Sequence, residues 1–105
     1  MCMNNRNNRT GTSFKGYLYA ELPRLVEVFG SPMIPDKRNI KIDAEWIIQT
    51  PHGVGTIYNY KNGNRYLSEN GIRVEQIKEW HVGGHNTETY KWIKAKVFGT
   101  VELLI

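Results

Sequence analysis

DAEWIIQTPHGVGTIYNY, residues 43–60, decides the fold: two β-type runs lie on either side of a short turn. Asp43 to Thr50 and Val54 to Tyr60 are rich in Trp, Ile, Val, Thr and Tyr, and Pro51, His52 and Gly53 break the run between them. Residues of these types, broken by a turn this short, predict an antiparallel hairpin. Alternation along each strand sets Trp46 with Ile48 on one face, and groups Tyr58 with Thr56 and Tyr60.

Upstream, Thr12 to Ala20 alternates Phe14, Gly16 and Leu18 against Lys15, Tyr17 and Tyr19, the period of a strand. ELPRLVEVFG, residues 21–30, then places Leu22, Leu25, Val26 and Phe29 at helical spacing with Arg24 and Glu27 outward. Pro23 suits the first turn, Gly30 a left-handed cap, and Pro32 blocks continuation. Pro32 to Lys41 reads as an exposed polar connection.

Downstream of the hairpin, KNGNRYLSENG (61–71) reads as a loop with a little order around Tyr66 and Leu67. Val74 to Lys78 has room for one helical turn, and Glu79 to Val82 for a short strand. Asn86 then caps a second helix, with Tyr90, Ile93 and Val97 on one side and Lys91, Lys94 and Lys96 in its later turns. The order β-α-β-β-β-α predicts an α+β fold, a single small domain with an antiparallel sheet of three to four strands and two helices packed on one face.

That domain is assigned to residues 12–97. Residues 1–11, MCMNNRNNRTG, read as a mobile polar leader, and 98–105 as an apolar C-terminal extension. In the extension, Val101, Leu103 and Ile105 alternate, which predicts an edge strand that docks or forms a homo-oligomer.

A chain of 105 residues has room for one core. Its 40% hydrophobic and 23% charged residues are those of a globular protein rather than a disordered one. No apolar run reaches membrane-spanning length, so no membrane partner is expected. Cys2 has no partner cysteine, which excludes an internal disulfide and a four-cysteine zinc site, and points to a reducing, cytoplasmic setting. The net charge is +4, but Arg6 and Arg9 of the leader contribute two of the 14 basic residues. The body is only mildly basic, so nucleic-acid binding is expected to be weak.

Two stretches hold candidate chemistry. In EWHVGGHN (79–86), Gly83 and Gly84 separate a strand from a capped helix, a junction that can aim backbone N–H groups at an anion. His81, His85 and Asn86 are near enough in sequence to complete such a site, assisted by Thr12 and Ser13. The plain alternative is a structural turn followed by a helix cap. The second stretch is the aromatic face carried by Tyr58 and Tyr60, which can stack a nucleobase, whereas Trp46 and Trp80 are expected in the core. No metal-ligand spacing and no nucleophile motif occurs, so neither a metal, a cofactor nor catalysis is expected.

The segments GTSFKGYLYAELPRLVEVFGSP, AEWIIQTPHGVGTIYNYK and EWHVGGH are together similar to a set of small proteins encoded by bacteriophages, over about residues 11–97. The resemblance implies a phage origin and action on a host process in the bacterial cytoplasm. The expected function is non-enzymatic binding, with sequestration of a nucleotide-like or phosphorylated small ligand against host defence. Thr12, Ser13, Tyr58, His81, Gly83, Gly84, His85 and Asn86 are the expected ligand contacts. Direct inhibition of a host defence enzyme and weak nucleic-acid binding are the alternatives.

Overall fold

The computed structural model describes residues 11–99, which form a mixed α+β domain. The chain runs through β1 (Ser13–Tyr19), α1 (Leu22–Phe29), β2 (Glu45–Thr50), β3 (Gly53–Tyr58), α2 (Asn64–Leu67), β4 (Glu79–Gly84) and α3 (Thr87–Phe98). All strand pairs are antiparallel, in the order β1-β4-β3-β2. β1 and β2 are therefore opposite edges although only α1 and a loop separate them in sequence.

The helices α1 and α3 share one face of the sheet. Leu18, Trp46, Ile48, Ile57, Trp80 and Val82 from the strands pack there against Leu25, Phe29, Ile93 and Val97 from the helices. The two tryptophans meet edge to face at 5.3 Å between ring centroids. Each buried indole N–H has an acceptor at an end of α1: Trp46 Nε1 donates to Gly30 O at 2.8 Å, and Trp80 Nε1 to Ala20 O at 3.0 Å. Burial of these rings thus leaves no indole donor unsatisfied, and it fixes α1 by both termini.

α3 lies close to the sheet because strands beneath it present glycines. A Cβ on Gly55 would fall 2.6 Å from Ile93 Cδ1, and one on Gly16 would fall 2.5 Å from the Tyr90 ring. The Tyr90 hydroxyl donates to Tyr17 O at 2.6 Å, joining the helix to the β1 edge. Arg24 joins α1 to the far end of α3, its Nε donating to Val97 O at 2.7 Å.

Several local expectations need correction. The little order expected around Tyr66 and Leu67 is a third helix, the single turn α2, where the sequence reading counted only two. It is held by a network below it: Asp43 Oδ2 accepts from Arg65 N, and Arg65 Nη1 donates to the carbonyls of Asp36, Asn39 and Ile42. Val26 is exposed and Val28 packs on the core instead, because the stripe of α1 turns toward α3 and the short 3-10 turn at Val74–Gln76. β4 extends through Gly83 and Gly84 rather than ending at Val82, and α3 includes Phe98 before Gly99 ends it. Most of the leader (1–10) and of the C-terminal extension (100–105) lies outside the described residues.

Candidate ligand-binding face

The sheet face turned away from α1 and α3 carries a cross-strand row through all four strands. Glu45 on β2 stands opposite Tyr58 on β3, Tyr58 opposite His81 on β4, and His81 opposite Tyr17 on β1. Alternation in antiparallel strands puts cross-strand partners on the same face, so this row follows from register alone.

A β-bulge enlarges the row. Phe14 pairs with Gly83 and Gly16 with Val82, so Lys15 is the extra residue on β1. Simple alternation would set Phe14 with Gly16 and Leu18 on the helix side. The bulge reverses that, and Phe14 joins Tyr17 and Tyr19 on the open face, as such insertions do when they re-aim a side chain.

His81 is the centre of the resulting cup. Its ring lies 5.3 Å from Phe14, 5.1 Å from Tyr17, 5.4 Å from Tyr58 and 5.8 Å from Tyr60, measured between centroids. Only Tyr58 is stacked, at 18° between planes, while the other rings are inclined and form walls. The five rings enclose a shallow cavity of about 440 Å³. Phe14, Tyr17 and Tyr60 are 47%, 44% and 41% exposed, a concentration of accessible aromatic surface on one side of a small domain.

Electrostatics of the cup follow from its partial dryness. Burial lowers the His81 pKa below its ordinary 6.5, an effect that the nearby Glu79 carboxylate opposes without overcoming. The imidazole is therefore neutral at pH 7. Burial likewise raises Tyr58 above 10.0, reinforced by Tyr60 and Glu45. His81 Nδ1 is buried without a hydrogen-bond partner among the described residues. A neutral imidazole nitrogen in that condition can donate to or accept from a ligand group placed in the cup.

The residues expected to form one site separate into two groups. Tyr58, His81 and Gly83 share the open face, where a Cβ on Gly83 would sit 2.7 Å from Thr56 Oγ1. Ser13, Gly84, His85 and Asn86 lie at the end of the sheet nearest the start of α3, with Thr12 just ahead of β1. Gly83 and Gly84 do not form a turn. They pair with Phe14 and Ser13 on one side and with Thr56 and Gly55 on the other, so their backbone groups serve two ladders. Asn86 is occupied as well: its Oδ1 accepts from Thr89 N at 2.9 Å, and its Nδ2 donates to His52 O at 2.9 Å. His85 is exposed, with its ring beside Gly11 and Gly53. Ser13 Oγ accepts from Lys15 Nζ at 3.0 Å.

No protein-family model, no curated protein and no solved structure matches this chain. The geometry alone must distinguish among surfaces.

A larger groove of about 810 Å³ runs past Tyr19, Arg24 and Phe98 at the junction of α1 and α3. Its strongest polar group is already engaged, because Arg24 bonds Val97 O and also pairs with Glu27 at 2.9 Å. The smaller aromatic cup has the unsatisfied nitrogen, which makes it the stronger candidate. Of the expected contacts, Tyr58 and His81 lie in this cup, and Phe14 and Tyr17, not among them, stand beside His81. The signal available was the excess of aromatic residues in SFKGYLY; the bulge that unites them was not visible. Among the described residues, no group of three or more metal-ligating side chains occurs, and no helix is long and apolar enough to cross a membrane.

Proposed function

We propose that this protein is a non-enzymatic binding protein whose open sheet face captures a planar, nucleobase-like ligand. The observation that carries the reading is His81: four aromatic rings surround it and its buried Nδ1 lacks a protein partner. Stacking of a base on an aromatic side chain contributes about 1–3 kcal/mol, and every base offers a π-face. A hydrogen bond to the buried nitrogen adds orientation, because a polar atom dry and unpaired in the free protein gains most from a partner. The cup surrounds its imidazole with rings rather than with a serine or cysteine, which favours capture over nucleophilic chemistry.

The likeness to small bacteriophage proteins supports setting this capture in an infected bacterial cell, with a host nucleotide signal as the ligand withdrawn from defence. Calorimetric titration of nucleosides into the full chain tests the binding step. Tyr58→Ala and His81→Ala, each shown to be folded, are expected to weaken binding by about tenfold or more, consistent with loss of one stacking partner. Absence of binding to any nucleoside, or unchanged affinity in both folded variants, overturns the proposal.

A second reading is favoured by β1, an edge strand whose outward residues Phe14, Tyr17 and Tyr19 are all exposed. That strip suits a protein partner that adds to the sheet edge and covers the rings, making the chain an inhibitor of a host protein. Native mass spectrometry separates the two readings by the mass that remains bound.

A further inference from the structure

A cation borders the aromatic cup at Tyr60. Tyr60 is the shared wall: its ring faces His81 at 5.8 Å and carries the Lys61 ammonium at 5.3 Å from its centroid. Tyr66 of α2 holds the same ammonium at 5.6 Å. Two rings thus confine a side chain that would otherwise sample many rotamers.

The backbone of Lys61 is also fixed. Its φ of 60° is in the left-handed region, uncommon for a residue with a side chain, and its N–H donates to Lys41 O at 2.8 Å. That bond brings the Lys41 backbone alongside. Among the described residues, neither Lys41 nor Lys61 is ion-paired with a carboxylate. The acidic groups of the open face lie elsewhere: Glu79 stands opposite Tyr19 at the β1 edge, and Glu45 lies beside Tyr58 on β2.

From this asymmetry we infer that the ligand is a nucleotide rather than a nucleoside, with its base in the cup and its phosphate on Lys61. The inference rests on the base-binding reading above and adds the position and charge of the second half of the ligand. It also moves the anion subsite. The sequence points to the Gly83–Gly84 junction, but those N–H groups lie in the sheet, whereas Lys61 is confined at the rim without a carboxylate. A lysine acts here as a point charge, attracting phosphate without demanding one bidentate geometry.

The test compares adenosine, guanosine, cytidine and uridine with their 5′-monophosphates by calorimetry on the full chain, at low and at physiological salt. The monophosphate of the preferred base is expected to bind about tenfold more tightly than its nucleoside, and salt should narrow the gap. Lys61→Met should abolish the gap, and Lys61→Arg should restore part of it. Lys91→Met on the outer side of α3 should retain it. A 5′-phosphorylated tetranucleotide in the same titration distinguishes a free nucleotide from a strand end as the source, and tight binding of either supports the subsite. A nucleoside that binds with no phosphate preference, or a preference that survives Lys61→Met, overturns this inference alone. Failure of nucleosides and nucleotides alike overturns it together with the base-binding reading.

Discussion

Tyr58 and His81 stack across adjacent strands, 18° from parallel with centroids 5.4 Å apart, although 23 positions separate them in the chain. The contact joins a ring that sequence assigns to an aromatic face with an imidazole that sequence assigns to a glycine turn. It also makes the His81 charge state depend on how dry the cup is.

Acid should therefore weaken the fold through His81. Because burial holds the folded pKa below 6.5, the unfolded chain takes up a proton at a pH where the folded chain does not. Stability should fall as pH drops from about 6.5 toward the folded pKa and level off beneath it. His81→Gln should flatten this part of the profile, as measured by urea unfolding at several pH values between about 5 and 7.5. Parallel profiles for the two proteins would count against it. An NMR titration should place the His81 midpoint lower than 6.5.

Gly55 should not tolerate a branched side chain. Its Cβ position meets Ile93 Cδ1 at 2.6 Å and Thr89 Cγ2 at 2.8 Å, so Gly55→Val forces α3 away from the sheet. Overpacking of this kind costs about 1–3 kcal/mol, read as a lower denaturation midpoint. Pairing it with Ile93→Ala should recover part of the loss by making room.

Arg24 should act as a tie between helices rather than as a surface charge. Its Nε donates to Val97 O at 2.7 Å and its Nη2 reaches Lys96 O at 3.5 Å. Arg24→Met is expected to cost about 1 kcal/mol, and Arg24→Lys to recover little, since a single ammonium lacks the planar fork. Hydrogen exchange should accelerate in the last turn of α3 before it does so elsewhere in that helix.

Asn59 should be the most sensitive polar position. Fully buried, its Oδ1 accepts from Asp43 N and Ala44 N, and its Nδ2 donates to Asp43 Oδ1 and Asn62 Oδ1. Asn59→Ala leaves two backbone donors without their acceptor, at about 1–3 kcal/mol each if they stay dry. Asn59→Asp keeps the acceptor but removes the donor that Asp43 needs, so it should also destabilise. Thermal unfolding of both variants checks this, with an unchanged midpoint as the contrary result.

Local chemistry was a sound guide wherever the deciding contacts are local. The hairpin turn, the helix ended by Gly30, and the Asn86 cap each depend on residues a few positions apart and each stands in the structure, except that β3 takes in Gly53 and the turn keeps only Pro51 and His52. Burial of Trp46 and Trp80 followed similarly from size and alternation. The network around Asn59 was not legible, because an asparagine in a polar loop and one buried under it look alike until the loop from Lys61 to Ile72 is folded over it.

Periodicity by itself thus determined the four strands, the two longer helices and the burial of Trp46 and Trp80, since side-chain direction repeats every two or 3.6 residues whatever lies nearby. Only the tertiary structure decided that β4 lies between β1 and β3, that Gly83 and Gly84 are laddered on both sides, and that a bulge at Lys15 turns Phe14 toward His81. The physical reason is range: strand order and register are set by pairings between residues far apart in sequence, and a one-residue slip in register exchanges the two faces of a strand.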